Sequence, residues 1–126
     1  MNMVILPNGE FNFLIDPNTG LFVCAKMGLQ KGIDFYINNN ADDWNLGMRG
    51  AAEGGHLNMI DLFISKGANN WNVGMFGAAH GGHLDIVKFF IAKGADKYGW
   101  GMHCASDSCQ LHVLNFFISL GGQYCY

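Results

Sequence analysis

From residue 44 to residue 122 the apolar positions return at a fixed interval. Trp44-Asn45-Leu46-Gly47-Met48 recurs as Trp71-Asn72-Val73-Gly74-Met75 and, more loosely, as Tyr98-Gly99-Trp100-Gly101-Met102, an offset of 27 residues each time. Phe63-Ile64 becomes Phe90-Ile91 and then Phe117-Ile118, while Gly67-Ala68 becomes Gly94-Ala95 and then Gly121-Gly122. The frame also extends backwards. Leu21, Cys24-Ala25, Gly28, Ile33-Asp34, Ile37 and Ala41 fall under Met48, Ala51-Ala52, Gly55, Ile60-Asp61, Ile64 and Ala68. The chain therefore divides into repeats 17–43, 44–70, 71–97 and 98–124, an arm 1–16 and a two-residue tail 125–126. Fixed-period self-similarity of this kind marks a repeat architecture.

Each unit reads as two helices. The first is short, near Gly47–Glu53 in the second repeat, and its small Ala51 and Ala52 allow close helix approach. Gly54-Gly55 ends it, because glycine accepts the left-handed backbone at a helix C-terminus. The second helix runs near Leu57–Lys66, with Leu57, Ile60, Phe63 and Ile64 at the spacing of one buried face. Gly67, Gly94 and Gly121 stop the second helices, with Asn40 in that role in the first repeat. Helices this short do not stand alone in water. Each pair must bury its face on its neighbours, and the expected fold is an all-α solenoid of four helix-turn-helix repeats.

The stretch Gly82-His83-Leu84-Asp85-Ile86-Val87-Lys88-Phe89-Phe90-Ile91-Ala92-Lys93-Gly94-Ala95-Asp96 resembles the second helix and glycine stop of an ankyrin repeat. Gly47-Met48-Arg49-Gly50-Ala51-Ala52 takes the place of that family's Thr-Pro-Leu-His-x-Ala-Ala segment, without the Thr-Pro and its histidine. The resemblance covers about residues 20–122. The family's usual unit is roughly 33 residues, and the shortfall lies where that family carries a projecting β-hairpin. Only Asn70-Trp71-Asn72-Val73 remains there, so a tight loop without hairpin fingers is expected. The Trp-Asn style of the repeat is similar to ankyrin-type proteins of giant DNA viruses of amoebae. The resemblance implies an ankyrin-like protein-recognition scaffold that uses its loops and first-helix face.

Composition narrows the classes. Half of the chain is hydrophobic, and Lys+Arg 7 against Asp+Glu 10 give a formal net charge of −3. A nucleic-acid surface needs clustered cations, so no nucleic-acid partner is expected. No apolar run reaches the roughly 18 residues of a membrane span, and the N-terminus lacks the pattern of a secretory signal. The four cysteines, Cys24, Cys104, Cys109 and Cys125, are too sparse for a disulfide scaffold and read as reduced thiols. A cytoplasmic protein is expected, in the host cytoplasm should the viral resemblance hold. His103-Cys104, Cys109 and His112 carry metal-ligand side chains but not the paired spacing of a zinc site. No phosphate loop, Ser-His-Asp set or carboxylate pair emerges. Hence no enzyme activity, cofactor, metal or small-molecule substrate is expected.

Positions that vary between repeats on the first helix are the candidates for binding a partner protein. They are Leu46, Val73 and Trp100; Arg49, Phe76 and His103; and Glu53, His80 and Asp107. The second and third sets lie four residues apart and share a helical face. Arg49, Phe76, Trp100 and His103 are the strongest, since interface hot spots favour aromatics and arginine. Trp44, Trp71 and Tyr98 are expected to cover the seams between repeats, Asn45 and Asn72 to bridge the loops, and His56 and His83 to hydrogen-bond loop backbone.

The two ends differ from the middle. Met3–Leu6, a turn signal at Pro7-Asn8-Gly9 and Phe11–Ile15 predict a small N-terminal β-hairpin cap, or an irregular arm. The last helix, 110–120, has lost the charges of its counterpart. Val113, Leu114 and Leu120 thus form a candidate self-association surface, with a twofold homodimer as the default geometry. The alternative is a tail, carrying Tyr124 and Tyr126, folded over that helix.

Overall fold

In the computed structural model, residues 16–120 are described, together with the backbone of residues 4–5 and 11–12. Eight helices follow one another: α1 (Pro17–Met27), α2 (Gln30–Asn38), α3 (Trp44–Gly54), α4 (Leu57–Ser65), α5 (Trp71–Gly81), α6 (Leu84–Lys93), α7 (Tyr98–Asp107) and α8 (Leu111–Ser119). Ahead of them β1 (Val4–Ile5) and β2 (Phe11–Asn12) pair antiparallel, Val4 opposite Asn12 and Ile5 opposite Phe11. The rest of the expected hairpin, and its side chains, lie outside the described residues. No strand occurs within residues 16–120. Each helix pair packs internally, and α1, α3, α5 and α7 pack side by side in chain order. The molecule is thus all-α, with sequential pairwise packing consistent with a repeat stack.

The first helices begin one turn earlier than the hydrophobic pattern suggested. Trp44 and Trp71 are the first residues of α3 and α5, not parts of a loop. The side chain immediately before each helix explains the difference. Asp43 accepts from the Leu46 N–H at 3.0 Å and Asn70 from the Val73 N–H at 3.2 Å, as Asp16 does from Thr19 N–H at 3.3 Å. These oxygens satisfy N–H groups that no helix can pair internally. α7 has Lys97 at this position and no side-chain cap. At the other end, Gly28, Gly55 and Gly82 terminate α1, α3 and α5 with φ of 75°, 80° and 79°. In the fourth repeat Cys109 holds the same left-handed backbone, with φ 59°.

The core is a set of ladders. Leu21, Met48, Met75 and Met102 line up from the first helices, and Phe63, Phe90 and Phe117 from the second, all essentially inaccessible to solvent. The rings of Phe63, Phe90 and Phe117 lie against Gly47, Gly74 and Gly101, where no Cβ has room. Burying one such ring stabilises the fold by roughly 1.5–3 kcal/mol. Trp44 stacks on Phe63 with ring centroids 6.5 Å apart and Tyr98 lies 6.2 Å from Phe117. Trp44 and Tyr98 therefore lie against the phenylalanines of their own repeats.

Hydrogen bonds tie one repeat to the next. Asn18, Asn45 and Asn72 each present Oδ1 to two successive backbone N–H groups in the loop that leads into the following repeat. The pairs are 42/43, 69/70 and 96/97, at 2.8–3.0 Å. The bridging is not local, because the stack brings residues 24 and 25 positions apart into contact. His56 and His83 place Nε2 at 3.2 and 3.1 Å from the carbonyls of Lys26 and Glu53, and the Gln110 amide donates to His80 O at 3.3 Å. Their acceptors are helix-end carbonyls of the preceding repeat instead of loop backbone. These groups otherwise lack helical partners.

Candidate protein-binding face of the first helices

The spacing between first helices is set by small residues. A Cβ on Gly77 would sit 2.5 Å from the Arg49 carbonyl oxygen, and one on Gly50, Gly54 or Gly81 would meet Phe22, Lys26 or Glu53 backbone at least as closely. In the fourth repeat the corresponding residues are Cys104 in α7 and Ser108 just beyond it, which do carry a Cβ. Accordingly α7 lies less closely along α5 than α5 lies along α3.

The exposed side of this helix layer carries most of the candidate residues. Arg49, His80, His103 and Asp107 are exposed, Trp100 is 50% exposed, and Leu46, Val73 and Phe76 are half-buried. Stacking of the repeats places Thr19, Leu46, Val73 and Trp100 in one column, and Phe22, Arg49, Phe76 and His103 in the next. The Trp100 and His103 rings meet edge to face at 6.4 Å, and His103 Nε2 lies 3.5 Å from Asp107 Oδ2.

Glu53 departs from the expectation of a freely offered side chain. It is buried, with its Oε1 3.1 Å from Lys26 Nζ and 3.5 Å from His80 Nε2. Lys26, Glu53, His80 and Asp107 occupy one column at intervals of 27 residues, so the carboxylate is flanked by basic side chains from the repeats before and after it. A buried carboxylate without such partners would be costly. Glu53 is therefore a brace between repeats.

A shallow open groove of roughly 450 Å³ lies where α5 and α7 separate, lined by Asn70, Asn72, Val73, Phe76, Lys97 and Trp100. Val73, Phe76 and Trp100 thus converge, while Leu46 and Arg49 flank them on α3. Sequence reasoning missed Asn70, Asn72 and Lys97. A signal existed for Lys97, which stands where the other first helices have Asp16, Asp43 and Asn70 as caps. Among the described residues, neither Lys97 nor Arg49 is ion-paired. A second depression, about 420 Å³, lies between the starts of α4 and α6, beside Leu57, His83 and Leu84.

The candidate self-association surface changes more. Val113 is fully buried and cannot belong to it, since its equivalents Met59 and Ile86 are core residues too. Leu114 is half-buried and Leu120 is 44% exposed. Leu111 and Ile118, exposed by 66% and 47%, were not anticipated. Ile37, Ile64 and Ile91 occupy the position of Ile118 and are half-buried. The alternative of a tail carrying Tyr124 and Tyr126 lies outside the described residues.

Burial raises the thiol pKa of both Cys24 and Cys104, and that of the Tyr36 phenol. His112 directs Nε2 to the Gly82 carbonyl at 2.8 Å, and Cys109 is exposed. Among the described residues no group of three or more His, Cys, Asp or Glu side chains could hold a metal ion, and no helix is long and apolar enough to cross a membrane. Comparison of the sequence with protein-family models finds no match, and comparison with curated proteins finds none either.

Proposed function

We propose that the chain is a non-catalytic protein-interaction scaffold, an ankyrin-like α-solenoid without hairpin fingers, that binds a partner protein through its first-helix face. One observation carries this reading. The columns that repeat are buried in the ladders, whereas the columns that vary leave Arg49, Phe76, Trp100 and His103 accessible on one side. Such side chains supply most of the energy at protein interfaces when they are clustered. The likeness of the repeat to those of giant DNA viruses makes a host cytoplasmic protein the partner class that suits it. The test is capture of partners from cell lysate with the intact chain and with Arg49, Phe76, Trp100 and His103 all changed to Ala. Loss of a saturable partner with the variant is expected. Retention of every partner, with the variant still folded, would contradict the choice of face.

A second reading, self-assembly through the apolar end of the stack, is favoured by the exposure of Leu111, Ile118 and Leu120. Light scattering on the eluting protein separates the two. A mass of one chain at every concentration removes self-assembly, and a dimer that dissociates in Ile118→Lys supports it.

A further inference from the structure

We infer that the groove between α5 and α7 is a docking site for a peptide segment in which an apolar or aromatic side chain stands next to a carboxylate. This rests on the reading of the first-helix face as a protein-binding surface and names the chemistry of what binds there. The floor is apolar: Val73 and Phe76 are half-buried, and Trp100 stands beside them with half of its surface open to solvent. A cavity of roughly 450 Å³ accommodates an aromatic side chain with its adjoining backbone.

The rim fixes the sign of the charge. Lys97 lines the groove and Arg49 is exposed on α3, on the other side of α5, and neither has an acidic partner among the described residues. Asp96, next to Lys97 in the chain, accepts from the Asn72 amide at 3.3 Å and is not among the residues that line the groove. Where other first helices carry Asp or Asn, α7 carries this cation. An incoming carboxylate thus finds the Lys97 ammonium in the lining of the groove and no carboxylate there.

The test uses three capped dipeptides as probes: acetyl-Phe-Glu-amide, acetyl-Phe-Gln-amide and acetyl-Ala-Glu-amide. Each is titrated into the ¹⁵N-labelled chain at low salt and followed by NMR. The expected result is saturable shifts at the Val73, Phe76 and Trp100 amides and the Trp100 indole. The first probe should bind about threefold more tightly than the second, and the third should not saturate. Lys97→Gln should erase the difference between the first two probes while leaving binding, and Trp100→Ala should abolish it. Both positions are exposed, so the fold survives and the free spectra show it. Equal affinity for the Glu and Gln probes, or shifts that do not include these residues, would overturn the inference. If the four-alanine variant loses its protein partner while the probes fail, the inference falls and the proposed face stands. If that variant keeps its partner while the probes bind as expected, the groove stands and the face does not.

Discussion

Gly77 shows how much a single position decides. It lets α5 approach α3 until the Arg49 carbonyl occupies the space of a side chain. Gly77→Ala must push backbone instead of a flexible side chain, so a loss of about 1–3 kcal/mol is expected in urea unfolding. A midpoint unchanged from the parent would remove the close-approach argument. The buried thiols give a second residue-scale prediction. Burial holds Cys24 and Cys104 above their ordinary value of 9.0. The folded state therefore keeps these protons more tightly than the unfolded chain. That stabilisation is complete below pH 9 and is lost as pH climbs through the folded values. Urea midpoints should be level from pH 7 to 8.5 and fall above pH 9, and Cys104→Ala should reduce the fall. A midpoint that rises with pH in that range would contradict the assignment. Residue scale is also where the sequence misleads. Val113 reads as surface because neighbouring charges have gone, yet its own column, Met59 and Ile86, marks it as core. Glu53 reads as a solvent-facing variable residue, although Lys26 and His80 lie one period to either side in its column.

Helix pairs, their order and their stops were legible, because apolar period and left-handed C-caps leave direct marks in the chain. The starts of the first helices were less so. Trp-Asn looks like a remnant of a deleted hairpin until Asp43 and Asn70 are recognised as caps for the N–H groups of Leu46 and Val73. The asparagine bridges were hidden for another reason. Asn45 reaches Asn69 and Asn70 at the far end of its own repeat, and a reading of local turns cannot anticipate a partner 24 residues away. α7 is the exception that tests the capping account. Lys97→Asp supplies the missing oxygen and should raise stability by roughly 0.5–2 kcal/mol, while weakening the glutamate probe. Unchanged stability would mean that the N-terminus of α7 is already satisfied.

Across the whole molecule, a constant interior supports a variable exterior. The methionine and phenylalanine ladders, the asparagine bridges and the glycine contacts recur with the repeat, and the groove opens between the N-terminal ends of α5 and α7. The repeats were legible because stacking demands the same contacts each time. The groove was not, because it depends on how far two helices stand apart. The most direct test of this account is removal of residues 71–97 in one piece, joining Asn70 to Tyr98, followed by circular dichroism and urea unfolding. Three in-register repeats should remain helical and unfold cooperatively, with a shallower denaturant slope that reflects the smaller surface. Loss of the fold, or equal tolerance of a 14-residue deletion of 71–84 that breaks the register, would contradict it.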